Sequence, residues 1–254
     1  MRKTTICQGC WEQMHVPIAI RGPFSVPFKL VGIKKSQMHP NLCTICESMF
    51  VKVKKRKQIS IPTTILFADI RGYTVLSQQG DTTKLNELLH CFYDQCAAAI
   101  WEKDGIINKF IGDAVLAIFN FPLVRKEHVM NAVSAAIELQ KNCKNLKNEI
   151  GLGHEHGLGI GIGIHTGDCF LGEVGTSYKD FTAIGPVVNL ASRLQGAAAA
   201  GEILVTENVF NHVKDQFQNA KKKTLTLKGL SDPVDGYVIY GSQPTATVRS
   251  NAFS

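Results

Sequence analysis

No part of this 254-residue chain approaches eighteen uninterrupted apolar residues, the shortest run that reads as a membrane-crossing helix. Its first residues, Met1-Arg2-Lys3-Thr4-Thr5-Ile6-Cys7, lack the apolar centre of a secretory signal. A soluble, cytoplasmic protein is therefore the expectation. The GxxxxGK[ST] pattern is also missing, which argues against a P-loop nucleotidase. General disorder is disfavoured, because 44% of the residues are hydrophobic and only nine are proline. What remains is a chain long enough for one full core and a small appendage.

Charge and cysteine divide the chain. Residues 1–60 carry eleven Lys/Arg against two Asp/Glu, whereas residues 61–254 carry seventeen against nineteen. The formal +7 thus belongs to the first segment, most sharply to Lys52-Val53-Lys54-Lys55-Arg56-Lys57. Such a run can touch nucleic acid or an anionic surface. No aromatic stacking pattern accompanies it, so a solvated tether or a partner surface is the better reading and nucleic acid the poorer one.

Four of the eight cysteines form Cys7-Gln8-Gly9-Cys10 and Cys43-Thr44-Ile45-Cys46, two CxxC pairs separated by 32 residues. Two such pairs can supply four thiolates to one tetrahedral ion. One structural Zn²⁺ per chain is expected, ahead of an iron–sulphur cluster or a redox dithiol. Spacing leaves open that His15 or His39 replaces one thiolate. Cys91, Cys96, Cys143 and Cys169 lie singly in apolar surroundings and read as core fillers.

Three regions follow: residues 1–58, a zinc-ribbon-like segment with a basic linker; 59–241, a larger α+β unit; and 242–254, a loose tail. In the larger unit, 61–68 reads as a buried strand finishing at Asp69. A helix is expected from Thr82 to about Lys103, with Leu85, Leu88, Leu89, Phe92, Cys96 and Ala99 on its apolar side. Strands 106–110 and 114–119 form a hairpin with Gly112-Asp113 at its tip, and an amphipathic helix covers 126–147. The run Gly157-Leu158-Gly159-Ile160-Gly161-Ile162-Gly163-Ile164-His165 has period two, giving a strand with one bare face that admits another backbone, a helix or a ligand. Thr166-Gly167-Asp168 is expected to turn, with 169–174 returning. Strand 181–184, a helix over 186–199 opened by Gly185-Pro186, and strands 203–205, 224–228 and 235–240 complete a ferredoxin-like pattern.

Two hydrophobic runs in this unit end in aspartate: Ile65-Leu66-Phe67-Ala68-Asp69 and Asn108-Lys109-Phe110-Ile111-Gly112-Asp113. Two carboxylates brought together repel unless a cation lies between them, so a paired Mg²⁺ or Mn²⁺ site acting on phosphate is the reading. The backbone around Ile70-Arg71-Gly72-Tyr73-Thr74 can offer N–H groups to a polyphosphate. Asn189 and Arg193, four apart on one helix, share a face; asparagine suits a sugar oxygen and arginine suits developing charge on phosphorus.

Residues 61–240, about 70% of the chain, resemble the catalytic domain of the class III adenylate and guanylate cyclases. The resemblance rests on FADIRGYT at 67–74, NKFIGDAVLAIF at 108–119, GIGIHTGDCFLGEVG at 161–175, FTAIGPVVNLASRL at 181–194 and LKGL at 227–230. It implies a homodimer with two shared interface sites that convert a nucleoside triphosphate into a 3′,5′-cyclic monophosphate and pyrophosphate. By that resemblance Asp69 and Asp113, with the Ile70 carbonyl, hold two metal ions. Asn189 orients the ribose, Arg193 stabilises the transition state, and Lys228 binds the triphosphate. Lys109 and Thr182 stand where the family reads the purine. A lysine donor suits adenine N1, and a threonine oxygen can accept from the exocyclic amine, so ATP is the expected substrate. A nucleotide-binding interaction module without turnover is the rival. His165 is expected to be structural, and the thiolate-rich head to brace the unit or dock a separate sensor.

Overall fold

The computed structural model describes residues 3–47, 59–78, 82–144, 158–174 and 180–240. The basic run 52–57, the end of the helix expected to reach 147 and the tail after 241 lie outside these.

In chain order the elements are α1 (Gln8–Met14), a 3-10 turn (Pro23–Ser25), α2 (Val26–Leu30), β1 (Ile59–Arg71), α3 (Tyr73–Gln78), α4 (Thr82–Glu102), β2 (Ile106–Ile111), β3 (Ala114–Phe119), α5 (His128–Cys143), β4 (Gly159–Val174), β5 (Asp180–Ile184), α6 (Pro186–Ala197), β6 (Ile203–Thr206), α7 (Glu207–Val213), β7 (Lys221–Leu225) and β8 (Val234–Ile239). The strands make one sheet in the order β2-β3-β1-β4-β6-β8-β7, with β5 paired to the far half of β4. Only β4–β6 is parallel. This is the α+β architecture the sequence implied.

Strand alternation sorts the side chains onto two faces. Leu66, Ala68, Ile70, Val115, Ala117, Ile160, Ile162 and Ile164 meet α4 and α5 residues such as Phe92, Cys96, Val133 and Leu139. That face is an ordinary helix-on-sheet core. On the other face, Ile65, Phe67, Leu116, Ile118, Cys169 and Leu171 pack with Val187 and Ala191 of α6 and with Cys7, Cys10, Ile18, Ile20, Leu42, Cys43 and Cys46 of the head. The cysteine segment is thus half the roof of the sheet's second face. Polar contacts fasten it there: Trp101 Nε1 donates to the Met38 carbonyl at 2.6 Å, and Arg125 reaches Glu12 at 3.1 Å and Asp104 at 2.6 Å.

Three expectations need correction. Thr166-Gly167-Asp168 does not turn: β4 runs unbroken through it, and β1 pairs with it from Gly159 to Leu171. The register of a thirteen-residue partner overrides the local turn composition. The strand expected at 224–228 lies at Lys221–Leu225, because the exposed lysines form a solvent-facing edge that hydrophobicity does not reveal. Between β6 and β8, α7 was not foreseen; it is capped by Thr206, whose hydroxyl accepts from the Val209 N–H.

Candidate active site

The glycine-alternating strand explains the geometry of the second face. A Cβ on Gly163 would collide with the backbone of α6 at Ala191 and Gln195, so its absence lets the helix lie on the sheet. Gly159 makes the same room for Ala200, and Gly161 for the Arg71 side chain. Asp69 stands opposite Gly161 in the β1–β4 register. Arg71 crosses the bare strand there: Nη1 donates to Asp69 Oδ1 at 2.7 Å, Nε to the Ala198 carbonyl at 3.0 Å, and Nη2 to the Gln195 carbonyl. One guanidinium therefore ties the end of β1 to the end of α6. Its side chain is committed within the protein, a role the sequence did not disclose.

Asp69 pairs with Ala114 in the β1–β3 register, so Asp113 at the hairpin tip lies one residue beyond it. The Ile70 N–H donates to the Asp113 carbonyl at 3.2 Å, which removes that amide from any phosphate cradle. Tyr93 of α4 pins the tip by stacking on Phe110 and donating to the Gly112 carbonyl at 2.6 Å. Burial raises the Asp69 carboxyl to about 6; Arg71 opposes that rise and Asp113 adds to it. Two neighbouring carboxylates whose negative charges repel make an oxygen donor set that suits hard divalent cations. Gly72, at φ +82°, turns the chain into α3, so the N–H groups of Gly72, Tyr73 and Thr74 belong to its opening turn.

The strands that carry the purine candidates, β2 and β5, come together although β5 is paired to β4 and not to β2. The far half of β4 carries β5 back towards β2, where the Asn108 side chain donates to the Phe181 carbonyl at 2.9 Å. Thr182 Oγ1 donates to Asn108 Oδ1 at 3.3 Å, and Lys109 is the next residue on β2, just past a bulge. Sequence reasoning did not single out Asn108, and nothing in the local sequence marked it as the partner of Thr182. On α6, which opens at Gly185-Pro186, Asn189 is exposed and Arg193 half-buried. The loop holding Lys228 lies against Arg193: Gly229, at φ +76°, would bring a Cβ to 3.1 Å from Arg193 Nη2.

His165 donates to or accepts from Thr206 Oγ1 at 2.8 Å, and burial lowers it to about 4. It pairs with Ile65, four residues along β1 from Asp69, roughly 13 Å at strand spacing. The expected structural role fits that placement, though as a mid-strand residue and not beside a turn.

In the head, the Cys7, Cys10, Cys43 and Cys46 sulphurs all lie within 4.8 Å of one another, three pairs at 3.4–3.5 Å. A tetrahedron with metal–sulphur bonds of about 2.3 Å has edges of about 3.8 Å, so the cluster is able to chelate a metal ion. Hydrogen bonds from Cys46 and Cys7 hold the Cys43 thiol far below its usual range. His39 is buried elsewhere, with Nε2 on the Trp101 carbonyl and Nδ1 accepting from the Asn41 N–H, so it does not replace a thiolate. Cys96, Cys143 and Cys169 are buried in the two cores and Cys91 packs against one, as expected.

The pattern of the adenylate and guanylate cyclase catalytic domain matches residues 54–241. An adenylate cyclase of Anabaena cylindrica is 33% identical over 186 residues, covering 69% of this chain and 36% of the relative. The receptor-type guanylate cyclase gcy-23 of Caenorhabditis elegans is 27% identical over 195 residues, covering 75% and 18%. Among solved structures, the adenylyl cyclase CyaB from P. aeruginosa superposes with a TM-score of 0.67 at 33% identity, covering 74% of this chain and 98% of that one. The guanylate cyclase domain of RhGC from Catenaria anguillulae, in complex with GTP, gives 0.63 at 25% identity, covering 70% and 96%. This chain spans little more than a third of the first of these relatives and less of the second.

Proposed function

The chain belongs to the adenylate and guanylate cyclase catalytic domain family, and from that premise we propose that it converts ATP to 3′,5′-cyclic AMP and pyrophosphate in a homodimer with two shared sites. The observation that carries the choice of adenine is the Asn108–Thr182 contact. Asn108 donates an amide N–H to the Phe181 carbonyl, so its oxygen faces Thr182, whose hydroxyl donates to that oxygen or to the Ala183 carbonyl. The Thr182 oxygen is left as an acceptor, which suits the exocyclic amine of adenine and not the O6 of guanine. Lys109, the residue after Asn108 on β2, would supply the donor for N1.

Asp69 and Asp113, with the Ile70 carbonyl, would hold two Mg²⁺ or Mn²⁺ ions, which when bound activate the ribose 3′-hydroxyl and neutralise the leaving pyrophosphate. Asn189 orients the ribose so that its 3′-oxygen faces the α-phosphorus in line. Arg193 takes up the negative charge that grows there as the bond to the β-phosphate breaks. Lys228, carried on the loop against Arg193, and the opening turn of α3 hold the triphosphate. In the head, the four thiolates hold one structural Zn²⁺.

Purified protein incubated with ATP or GTP, in Mg²⁺ and in Mn²⁺, tests the reading. Cyclic AMP should be the main product. ATP binding without turnover in either metal would favour the nucleotide-binding module instead.

A further inference from the structure

The head carries a surface that the sheet does not use. Between Gly22 and Lys35, Phe24 is 81% exposed, Val26 54%, Leu30 83% and Val31 72%. No residue of α2 is buried, and only Phe28 leans into the core. At helical spacing Val26, Lys29 and Leu30 share the face opposite Phe28, so the outward side is apolar with a lysine on its flank. Beside it opens a cleft of about 670 Å³, lined mainly by Ile6, Pro17, Ala19, Pro23, Pro27 and Phe28. Four large apolar side chains protruding from one eight-residue stretch, 24–31, are more than isolated surface hydrophobes explain.

Charge selects what covers them. Lys29, Lys34 and Lys35 are exposed along the same segment. Of the two acids in residues 1–60, Glu12 is already paired with Arg125, and the run Lys52–Lys57 follows the head directly in sequence. Protruding apolar tips in a segment whose exposed charges are lysines match a surface with negative headgroups over a hydrocarbon interior. We propose that the head docks this protein on membranes containing anionic lipid, with Phe24, Val26, Leu30 and Val31 entering the boundary between headgroups and acyl chains. The metal cluster keeps this wedge in shape, and the catalytic unit rides above the bilayer. No helix among the described residues is long and apolar enough to cross one.

Co-sedimentation of the full chain with phosphatidylcholine vesicles, with and without 30 mol % phosphatidylserine, tests this independently of turnover. Binding should require phosphatidylserine. Phe24→Asp with Leu30→Asp should weaken partitioning about 10- to 100-fold, since two inserted side chains are lost. Lys34→Gln with Lys35→Gln should weaken it about 3- to 10-fold, and added salt should remove that difference. Single Phe24→Ser keeps the test open should the double aspartate variant misfold; it should lower partitioning measurably while retaining the wild-type metal content. Three results would overturn the proposal. One is no binding of wild-type protein to the anionic vesicles. Another is binding that the apolar substitutions leave unchanged, which would assign it to charge alone. The third is a shift in the monomer–dimer equilibrium on those substitutions without vesicle binding, which would make the surface a contact with a second copy.

Discussion

The two faces of the sheet are built on different principles. The first is closed by α4 and α5 over alternating aliphatic side chains. The second has glycines where α6 and Arg71 must approach, carboxylates at its end, and a cysteine-stapled head over the remainder. The first face supplies cohesion. The second gives up apolar side chains where α6 and Arg71 approach, and its remaining cover comes from a segment whose four-cysteine cluster is able to chelate a metal ion. Stability and function are thus segregated by the period-two alternation of the same strands.

Substitutions on the two faces should separate accordingly, and the largest contrast lies at the carboxylates. Asp69→Ala or Asp113→Ala should lower turnover by roughly 10²-fold or more with little change in melting temperature. Mixing Asp69→Ala with Arg193→Ala subunits should restore one site per heterodimer; no recovery in confirmed heterodimers would break the shared-site reading. Phe92→Ala, in the first-face core, should cost about 3–5 kcal/mol of stability by denaturant titration while leaving the ATP/GTP ratio unchanged.

The next effects test whether the second face depends on its two covers. Gly163→Ala drives a methyl into the backbone of α6, and a loss of about 1–3 kcal/mol with a fall in turnover is expected. Removing the metal, or Cys43→Ser, should lower the melting temperature of the catalytic unit along with the head, because both share one core. Elemental analysis should find about one zinc per chain. An unchanged catalytic melting transition in metal-free protein would show that the two covers are independent.

Smaller still is the purine preference. Lys109→Glu with Thr182→Cys should shift the ATP/GTP ratio by roughly 10- to 100-fold towards GTP. Asn108→Ala should reduce the preference for ATP through Thr182 alone, without the charge change. The smallest effect concerns pH. Burial lowers His165 to about 4, so between there and its ordinary value the unfolded chain binds more protons than the folded one. Stability from this group is complete above about pH 6.5 and is lost as pH falls towards 4. His165→Gln should flatten that part of the melting curve by a few °C.

Much of this protein was legible in the sequence, because local pattern carried it. The helix over 82–102, the hairpin at 106–119 and the bare-faced strand follow from apolar periods of 3.6 and two. The paired CxxC spacing sufficed to bring four thiols together. The residues that hold those parts in place were not legible. Arg71 offered nothing to suggest that it crosses a glycine to reach α6, nor Asn108 that it meets Thr182 of β5. The turn expected at Thr166-Gly167-Asp168 vanished because thirteen paired positions outweigh three turn-prone ones. The sequence by itself determined the elements, the apolar faces and the chemical groups available, since these depend on neighbours within a few residues. Only the tertiary structure decided that the head roofs the sheet and that β5 returns to β2, because those contacts join residues 60 to 130 positions apart, where no local period reaches.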